Sequence, residues 1–92
     1  MDLYMSAPEG DSVSEQELTD ILQKAKIKVD DWAIVSEDPL QVEATLEGQR
    51  SLLSARGTAG RLRFVHVENP QDSIFSRLCP ILEKRGWQMD GE

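Results

Sequence analysis

The first strong pattern in the chain is an apolar stripe at helical spacing. Its members recur at i, i+3, i+4 and i+7: Leu18, Ile21, Leu22 and Ala25. This spacing is typical of a helix with one buried face. Ser14 and Glu17 form the S-x-x-E arrangement of a capping box, in which each side chain accepts a hydrogen bond from a backbone N–H at the helix start. The pattern predicts a helix over about 15–26 with Leu22 in the core.

A second pattern, with a period of two, follows at residues 40–47. Four apolar residues share one face of this segment: Leu40, Val42, Ala44 and Leu46. Polar residues alternate with them, which is typical of an antiparallel strand with one buried face. Turn-forming residues and further apolar runs predict a short strand at 32–35, turns at 37–39 and 47–50, and strands at 51–55 and 61–67.

The predicted strand 61–67 has apolar residues on both faces. Leu62, Phe64 and His66 share one face, and Val65 and Val67 share the other face with two arginines. If both helices cover one side of the sheet, we expect Val65 and Val67 on the uncovered side, where exposed β-branched residues favour self-association.

A second helix is predicted after Asn69 and Pro70, which suit the N-cap and first helical positions. Its apolar stripe contains Ile74, Phe75, Leu78, Ile81 and Leu82. Pro80 lies inside this stripe and predicts a kink, and Gly86 is suited to end the helix. For residues 87–89 two outcomes stay open: pairing with a sheet edge or packing beneath the helix.

These elements predict an α+β fold for residues 13–92. The expected architecture is a two-layer sandwich with an N-terminal helix, an antiparallel three- to four-stranded β-meander and a C-terminal helix. Residues 1–12 include Pro8 and Gly10 and have no periodic apolar pattern. We therefore expect them to be a flexible acidic tail whose deletion leaves stability nearly unchanged.

Charge is distributed unevenly along the chain. The net charge is −7, with 17 acidic and 10 basic residues. Residues 1–20 contain six acids and no base, whereas residues 48–67 contain four arginines and no acid. The pattern predicts an electrically bipolar molecule, and the net acidity argues against nonspecific nucleic-acid binding by the whole surface.

Residues suited to catalysis or metal binding are scarce. His66 is the single histidine and Cys79 the single cysteine, and no catalytic, metal-binding or family-specific motif stands out. We therefore expect no catalysis, no metal and no cofactor. One cysteine allows no intrachain disulfide, and the sequence shows neither a signal segment nor a long apolar run. These features favour a cytoplasmic protein that does not enter the membrane.

The function most consistent with this profile is a small protein-binding module, an adaptor, chaperone-like protein or inhibitor of the immunity type, acting by surface complementarity. The proposed contact residues flank a glycine-containing hairpin: Arg50, Arg56, Gly57, Gly60, Arg61 and Arg63. The alternative is binding of an anion, a phosphorylated ligand or nucleic acid through the arginine-rich sheet face and hairpin 49–67. Two points stay open: whether the partner is a second copy of the chain, and whether the arginines only contact solvent or pair with Glu43 and Glu47.

Overall fold

The computed structural model describes residues 2–90, which form two helices and six strands. In chain order the elements are β1 (Leu3–Ser6), α1 (Glu15–Lys24), β2 (Val29–Glu37), β3 (Leu40–Leu46), β4 (Ser51–Gly57), β5 (Phe64–Glu68), α2 (Asp72–Lys84) and β6 (Gln88–Asp90). The predicted α+β class and the approximate positions of both helices are confirmed.

The six strands form one antiparallel sheet in the order β2-β3-β4-β5-β1-β6. Strands β2 to β5 form a meander, because the connections between them are too short for anything but antiparallel neighbours. The prediction of three to four strands was too low. The two additional strands, β1 and β6, come from the ends of the chain and extend the sheet beyond β5.

The prediction of a flexible tail over residues 1–12 is wrong for β1. This strand lies between β5 and β6, so it has a hydrogen-bonded neighbour on each side. Leu3 and Met5 are each only 1% exposed and belong to the hydrophobic core. The strand has just four residues, and an alternation of that length is a weak sequence signal.

The start of α1 matches its sequence signature. The Ser14 Oγ accepts a hydrogen bond from the Glu17 backbone N–H at 3.1 Å, and the Ser14 N–H donates to the Glu17 Oε1 at 3.0 Å. This reciprocal pair is the predicted capping box. The helix ends at Lys24, slightly earlier than expected, and its buried residues include Leu18, Ile21 and Leu22.

The start of α2 differs from the prediction. The N-cap is Gln71 instead of Asn69, and it makes no side-chain capping bond. Asn69 has a left-handed backbone with φ of 51°, and its side-chain amide donates to the Arg50 carbonyl oxygen at 3.1 Å. Asn69 therefore holds the turn after β5, and the helix begins beyond it. Pro80 lies within the helix as predicted.

Both helices and one face of the sheet contribute to a single hydrophobic core. The alternation predicted for β3 is confirmed, because its four apolar residues are all buried. The inward-facing residues of β4 include Leu53 and Ala55, and those of β1 are Leu3 and Met5. One face of these strands is thus apolar and buried, and the residues between them are partly or fully exposed.

The predicted orientation of strand 61–67 is wrong. Val65 and Val67 are buried in the core, and Phe64, expected on the covered side, is 45% exposed. The two-residue alternation breaks at Arg63, because Leu62 is also buried. Leu62 pairs with Val13 in an isolated bridge outside β5, so the alternation of the strand starts afresh at Phe64.

Both outcomes left open for residues 87–89 occur together. Trp87 is buried and packs in the core, and β6 pairs with β1. Gly86 has a positive φ of 89°, which permits the chain to turn from α2 into β6.

The inserted position of β1 gives a direct test. Met5→Asp is expected to lower the free energy of unfolding by more than about 3 kcal/mol, because it places an unpaired carboxylate in the core. Ser6→Asp is the matched control, since Ser6 is the next residue along and points to the opposite, partly exposed side. Urea unfolding followed by circular dichroism measures both. Equal, small losses for the two variants would show that β1 is not an integral strand.

Candidate functional site

The arginines expected at one contact surface have different roles in the fold. Arg61 contacts the segment between β1 and α1: its Nε donates to the Ser12 Oγ at 3.0 Å, and its Nη2 donates to the Ser12 carbonyl oxygen at 3.0 Å. The same guanidinium forms an ion pair with Glu17 at 3.0 Å. Arg61 is therefore used largely within the molecule.

Arg63 also contacts the chain between β1 and α1. Its Nη2 donates to the carbonyl oxygens of Pro8 at 3.2 Å and Ala7 at 3.4 Å. Its Nε is buried and has no hydrogen-bond partner among the described residues. The backbone adds a bond from the Ala7 N–H to the Arg63 carbonyl oxygen at 2.8 Å. Arg63 thus fixes the residues that follow β1 next to the start of β5.

A third arginine completes this attachment from the other end of the chain. Arg85 donates to both carboxylate oxygens of Asp11, at 3.0 and 3.3 Å, and the Trp87 indole N–H donates to Asp11 at 2.8 Å. Arg85 also lies 3.8 Å from Glu17. We call the set Asp11, Glu17, Arg61, Arg85 and Trp87 the N-terminal clamp.

The acids of the N-terminal clamp are stabilised in their charged forms. The Arg85 hydrogen bonds lower the pKa of Asp11 below its ordinary value of 3.8, and the Trp87 N–H acts in the same direction. The backbone N–H of Ser14 lowers the pKa of Glu17, and the charge of Arg61 adds to this. Both carboxylates are therefore poor proton acceptors in the folded protein.

Gly57 and Gly60 have conformational roles in the loop that joins β4 to β5. Gly57 is the last residue of β4 and is buried, and a Cβ atom there would overlap the Arg61 carbonyl group. Gly60 has a positive φ of 71°, in a turn closed by the Arg61 N–H on the Thr58 carbonyl oxygen at 3.0 Å.

Arg50 lies at the opposite end of β4 from this loop. It is exposed and borders a shallow polar depression formed with Glu47, Gly48, Gln71, Ser73 and Arg77. Six positions of nearly extended chain separate Arg50 from Arg56, which corresponds to about 20 Å. The predicted contact residues therefore do not form one compact patch.

Within residues 2–90, Arg56 is the one predicted arginine that contacts an exposed aromatic ring. Its guanidinium carbon is 5.4 Å from the centre of the Phe64 ring, and the two residues are directly opposite each other on β4 and β5. This is a cation–π arrangement. The sequence pattern predicts Phe64 on the covered side of the sheet and therefore does not predict this pair.

Arg56 and Phe64 belong to the side of the sheet that points away from the core, which we call the open face. Two rows of directly opposed residues cross it. The first row is Gln41, Arg56, Phe64 and Ser6; the second is Glu43, Ser54, His66 and Tyr4.

The second row contains an ordered aromatic pair. The Tyr4 and His66 rings stack with centres 4.4 Å apart and planes 5° apart. The His66 Nε2 lies 3.0 Å from the Asp2 Oδ2, and this hydrogen bond lowers the pKa of Asp2. The sequence signal for these residues is the alternation of Tyr4 and Ser6 with the apolar Leu3 and Met5, which is too short to predict a strand by itself.

The edge strand β2 carries a second exposed apolar feature. Ile34 and Val35 are 50% and 54% exposed. The pairing of β2 with β3 is irregular at two places, and Asp31 has a positive φ of 56°. Such irregularities discourage another chain from adding as a regular strand at this edge.

Cys79 and His66 lie on opposite sides of the sheet layer. Cys79 is buried in the core, and burial raises the pKa of its thiol. His66 is on the open face. The described residues thus do not bring this thiol and imidazole together as a nucleophile and its base.

Comparison with protein-family models, curated proteins and solved structures found no match for this chain. Within residues 2–90, neither helix is long and apolar enough to cross a membrane.

The N-terminal clamp predicts a large effect from one partly exposed acid. Asp11→Ala is expected to lower the free energy of unfolding by about 1–3 kcal/mol, because Arg85 and Trp87 lose their common acceptor. Glu9→Ala is the control, since Glu9 is an exposed acid two positions away, and it is expected to change stability by less than about 0.5 kcal/mol. Chemical denaturation measures both. Indistinguishable midpoints would show that the clamp contributes nothing.

The same contacts predict a loss of stability in acid. Because the pKa values of Asp11 and Glu17 are lowered on folding, their stabilisation is present above their ordinary values of 3.8 and 4.5 and is lost as the pH falls through the lower folded values. We expect the free energy of unfolding to decrease between about pH 5 and pH 3. Asp11→Asn should decrease less over this interval, and parallel curves for the two proteins would contradict the assignment.

Proposed function

We propose that the protein is a small, non-catalytic, cytoplasmic module that binds another protein through its open face. The observation that carries this proposal is the exposed Phe64 ring in the middle of the sheet, with the Arg56 guanidinium above it. β5 has a paired strand on each side, so Phe64 lies away from both sheet edges. An exposed aromatic ring at such a central position loses more water on binding than one at the rim.

The chemistry of the pair favours a protein surface as the partner. Arginine and aromatic residues are enriched at the centres of protein interfaces, where the ring supplies apolar area and the guanidinium supplies directed donors. Arg56 has no ion pair among the described residues, in contrast to Arg61 and Arg85. Its donors are therefore available for a carboxylate of the partner.

The acids on the open face indicate which charges a complementary partner surface carries. Glu43 lies in the second row, next to the row that contains Arg56. Glu68 lies two positions after His66 on β5. A complementary surface has an apolar side chain over Phe64, a carboxylate near Arg56 and basic groups opposite the two glutamates. The net charge of −7 also favours the approach of a basic partner.

The alternative, an anion or nucleic-acid site on residues 49–67, has less support. Arg61 and Arg63 make contacts within the fold, and Arg50 is distant from Arg56. The open face also carries Glu43 and Glu68, which repel phosphates. Binding of RNA or DNA that weakens with salt and is lost in Arg56→Ala would favour this alternative.

The expected self-association through Val65 and Val67 is contradicted, because both residues are buried. A second copy of the chain is a less favourable occupant of the open face, because two facing copies would oppose surfaces that carry the same acids. Sedimentation of the purified protein distinguishes a homodimer from a complex with another chain.

The contact surface is tested by photo-crosslinking from position 64. A benzophenone amino acid at Phe64 is expected to capture a partner in cells that express the protein, and the same group at Asp20 on the exposed side of α1 is the control. Phe64→Ala and Arg56→Glu should each weaken binding of the captured protein at least about tenfold, as expected for hot-spot residues. Gln23→Ala should leave the affinity unchanged.

Folded variants with full affinity would disprove the role of the open face. Neither Phe64 nor Arg56 belongs to the core, so both variants are expected to fold. Circular dichroism verifies this.

A further inference from the structure

Three side chains with metal-binding groups converge at one end of the open face. Asp2, His66 and Glu68 each present one ligand atom, and these atoms all lie within 4.8 Å of one another. The His66 Nε2 lies 3.0 Å from the Asp2 Oδ2. We call this set the Asp2–His66–Glu68 cluster.

The sheet topology explains why these residues meet. His66 and Glu68 are two positions apart on β5, so both side chains emerge on the same face. Leu3 pairs with Val67, which places the preceding Asp2 beside Glu68 on the neighbouring strand. The cluster is therefore built on the backbone pairing of β1 with β5.

Two contacts orient the ligand atoms before any ion binds. The Tyr4 ring stacks on the imidazole of His66 and holds its plane. The Asn69 backbone N–H lies 3.5 Å from the Asp2 Oδ1, which leaves the Oδ2 directed at His66. Contacts of this kind around metal ligands raise affinity because they reduce the ordering required on binding.

The separations suit a small ion with tetrahedral coordination. Bonds of about 2.1 Å to nitrogen and oxygen ligands place two such ligands about 3.4 Å apart. The His66–Asp2 distance needs to increase by only a few tenths of an ångström. The exposed Glu68 side chain needs a rotamer adjustment to approach the other two.

We propose that the Asp2–His66–Glu68 cluster binds a divalent transition-metal ion of the zinc class, with water at the remaining coordination position. One imidazole and two carboxylates form a ligand set that zinc accepts. The imidazole favours such an ion over magnesium or calcium, which prefer oxygen ligands. The side chains of Asp2 and His66 are only 33% and 30% exposed, so the ion would lie against the sheet surface.

The proposal differs from a simple His66–Asp2 ion pair in the role of Glu68. An ion pair needs only the two residues that are 3.0 Å apart, and removal of the Glu68 charge would leave it in place. A metal ion needs the third ligand. Glu68 is thus the residue whose substitution separates the two explanations.

The test uses the untagged chain, freed of metal by chelation, at about pH 7.5. Because His66 is the sole histidine, its ring resonances report this cluster alone in a nitrogen-15 NMR spectrum. Addition of zinc chloride is expected to shift the His66 Nε2 resonance and to saturate at one ion per chain. Magnesium chloride at the same concentration is expected to shift nothing.

Variants locate the ion. Glu68→Gln and Asp2→Asn should each weaken zinc binding, measured by the His66 titration, at least about tenfold. Glu43→Gln is the matched control, because Glu43 is an acid on the open face outside the cluster. Its zinc affinity should equal that of the wild type.

Two results would overturn the proposal. One is a His66 resonance that zinc does not move. The other is a zinc affinity that is the same in Glu68→Gln as in the wild type, which would show that His66 binds the ion without the cluster. Glu68 is exposed, so its substitution is compatible with folding, and the amide spectrum of the variant verifies this.

Discussion

The insertion of β1 between β5 and β6 is the constraint on which the rest of the structure depends. Only β1 pairs with β6 in the described sheet, and β1 covers the second edge of β5. Leu3 and Met5 also complete the core from this position. Because β1 and β5 are about 60 residues apart in the chain, their pairing closes a long loop. The contacts that hold the N-terminal segment therefore stabilise the sheet as a whole.

The attachment of the N-terminal segment also compensates part of the uneven charge of the sequence. The acidic residues 1–20 and the basic residues 48–67 were expected to form opposite poles, but the structure brings the two segments together. Glu17 pairs with Arg61, and the carbonyl oxygens around Pro8 accept from Arg63. Part of the arginine-rich stretch thus compensates the acidic segment within the molecule. The distribution of charge along the sequence therefore does not by itself predict the distribution of charge on the folded surface.

Local signals explain which parts of the fold were predictable. The α1 helix was found because its cap and its apolar stripe lie within a dozen residues and agree with each other. β3 was found because seven residues alternate without interruption. β1 was missed because its four residues are too few to establish a period, and its partners are distant in sequence. Its stability comes from tertiary pairing, which local patterns do not report.

The candidate sites were harder to predict for the same reason. The orientation of Phe64 depends on the break in alternation at Arg63, which follows from the bridge between Val13 and Leu62. Because β5 has the opposite orientation to the predicted one, Val65 and Val67 lie in the core and the Phe64 ring is exposed. The arginines were recognised by composition, but composition does not show which guanidinium groups already have partners. Of the set, Arg56 combines exposure with a contact to an exposed ring.

The two proposed sites share one face of the sheet, and their spacing links them. Phe64, His66 and Glu68 occupy alternate positions along β5, so the Phe64 ring and the Asp2–His66–Glu68 cluster lie about 7 Å apart along the strand. A divalent ion would offset the charges of Asp2 and Glu68, two of the acids that favour a basic partner. Metal binding would then change the charge pattern that a partner meets while leaving Phe64 and Arg56 in place. We therefore expect an ion on this face to change the rate at which a charged partner associates. The apolar contact at Phe64, in the centre of the open face, is expected to change less.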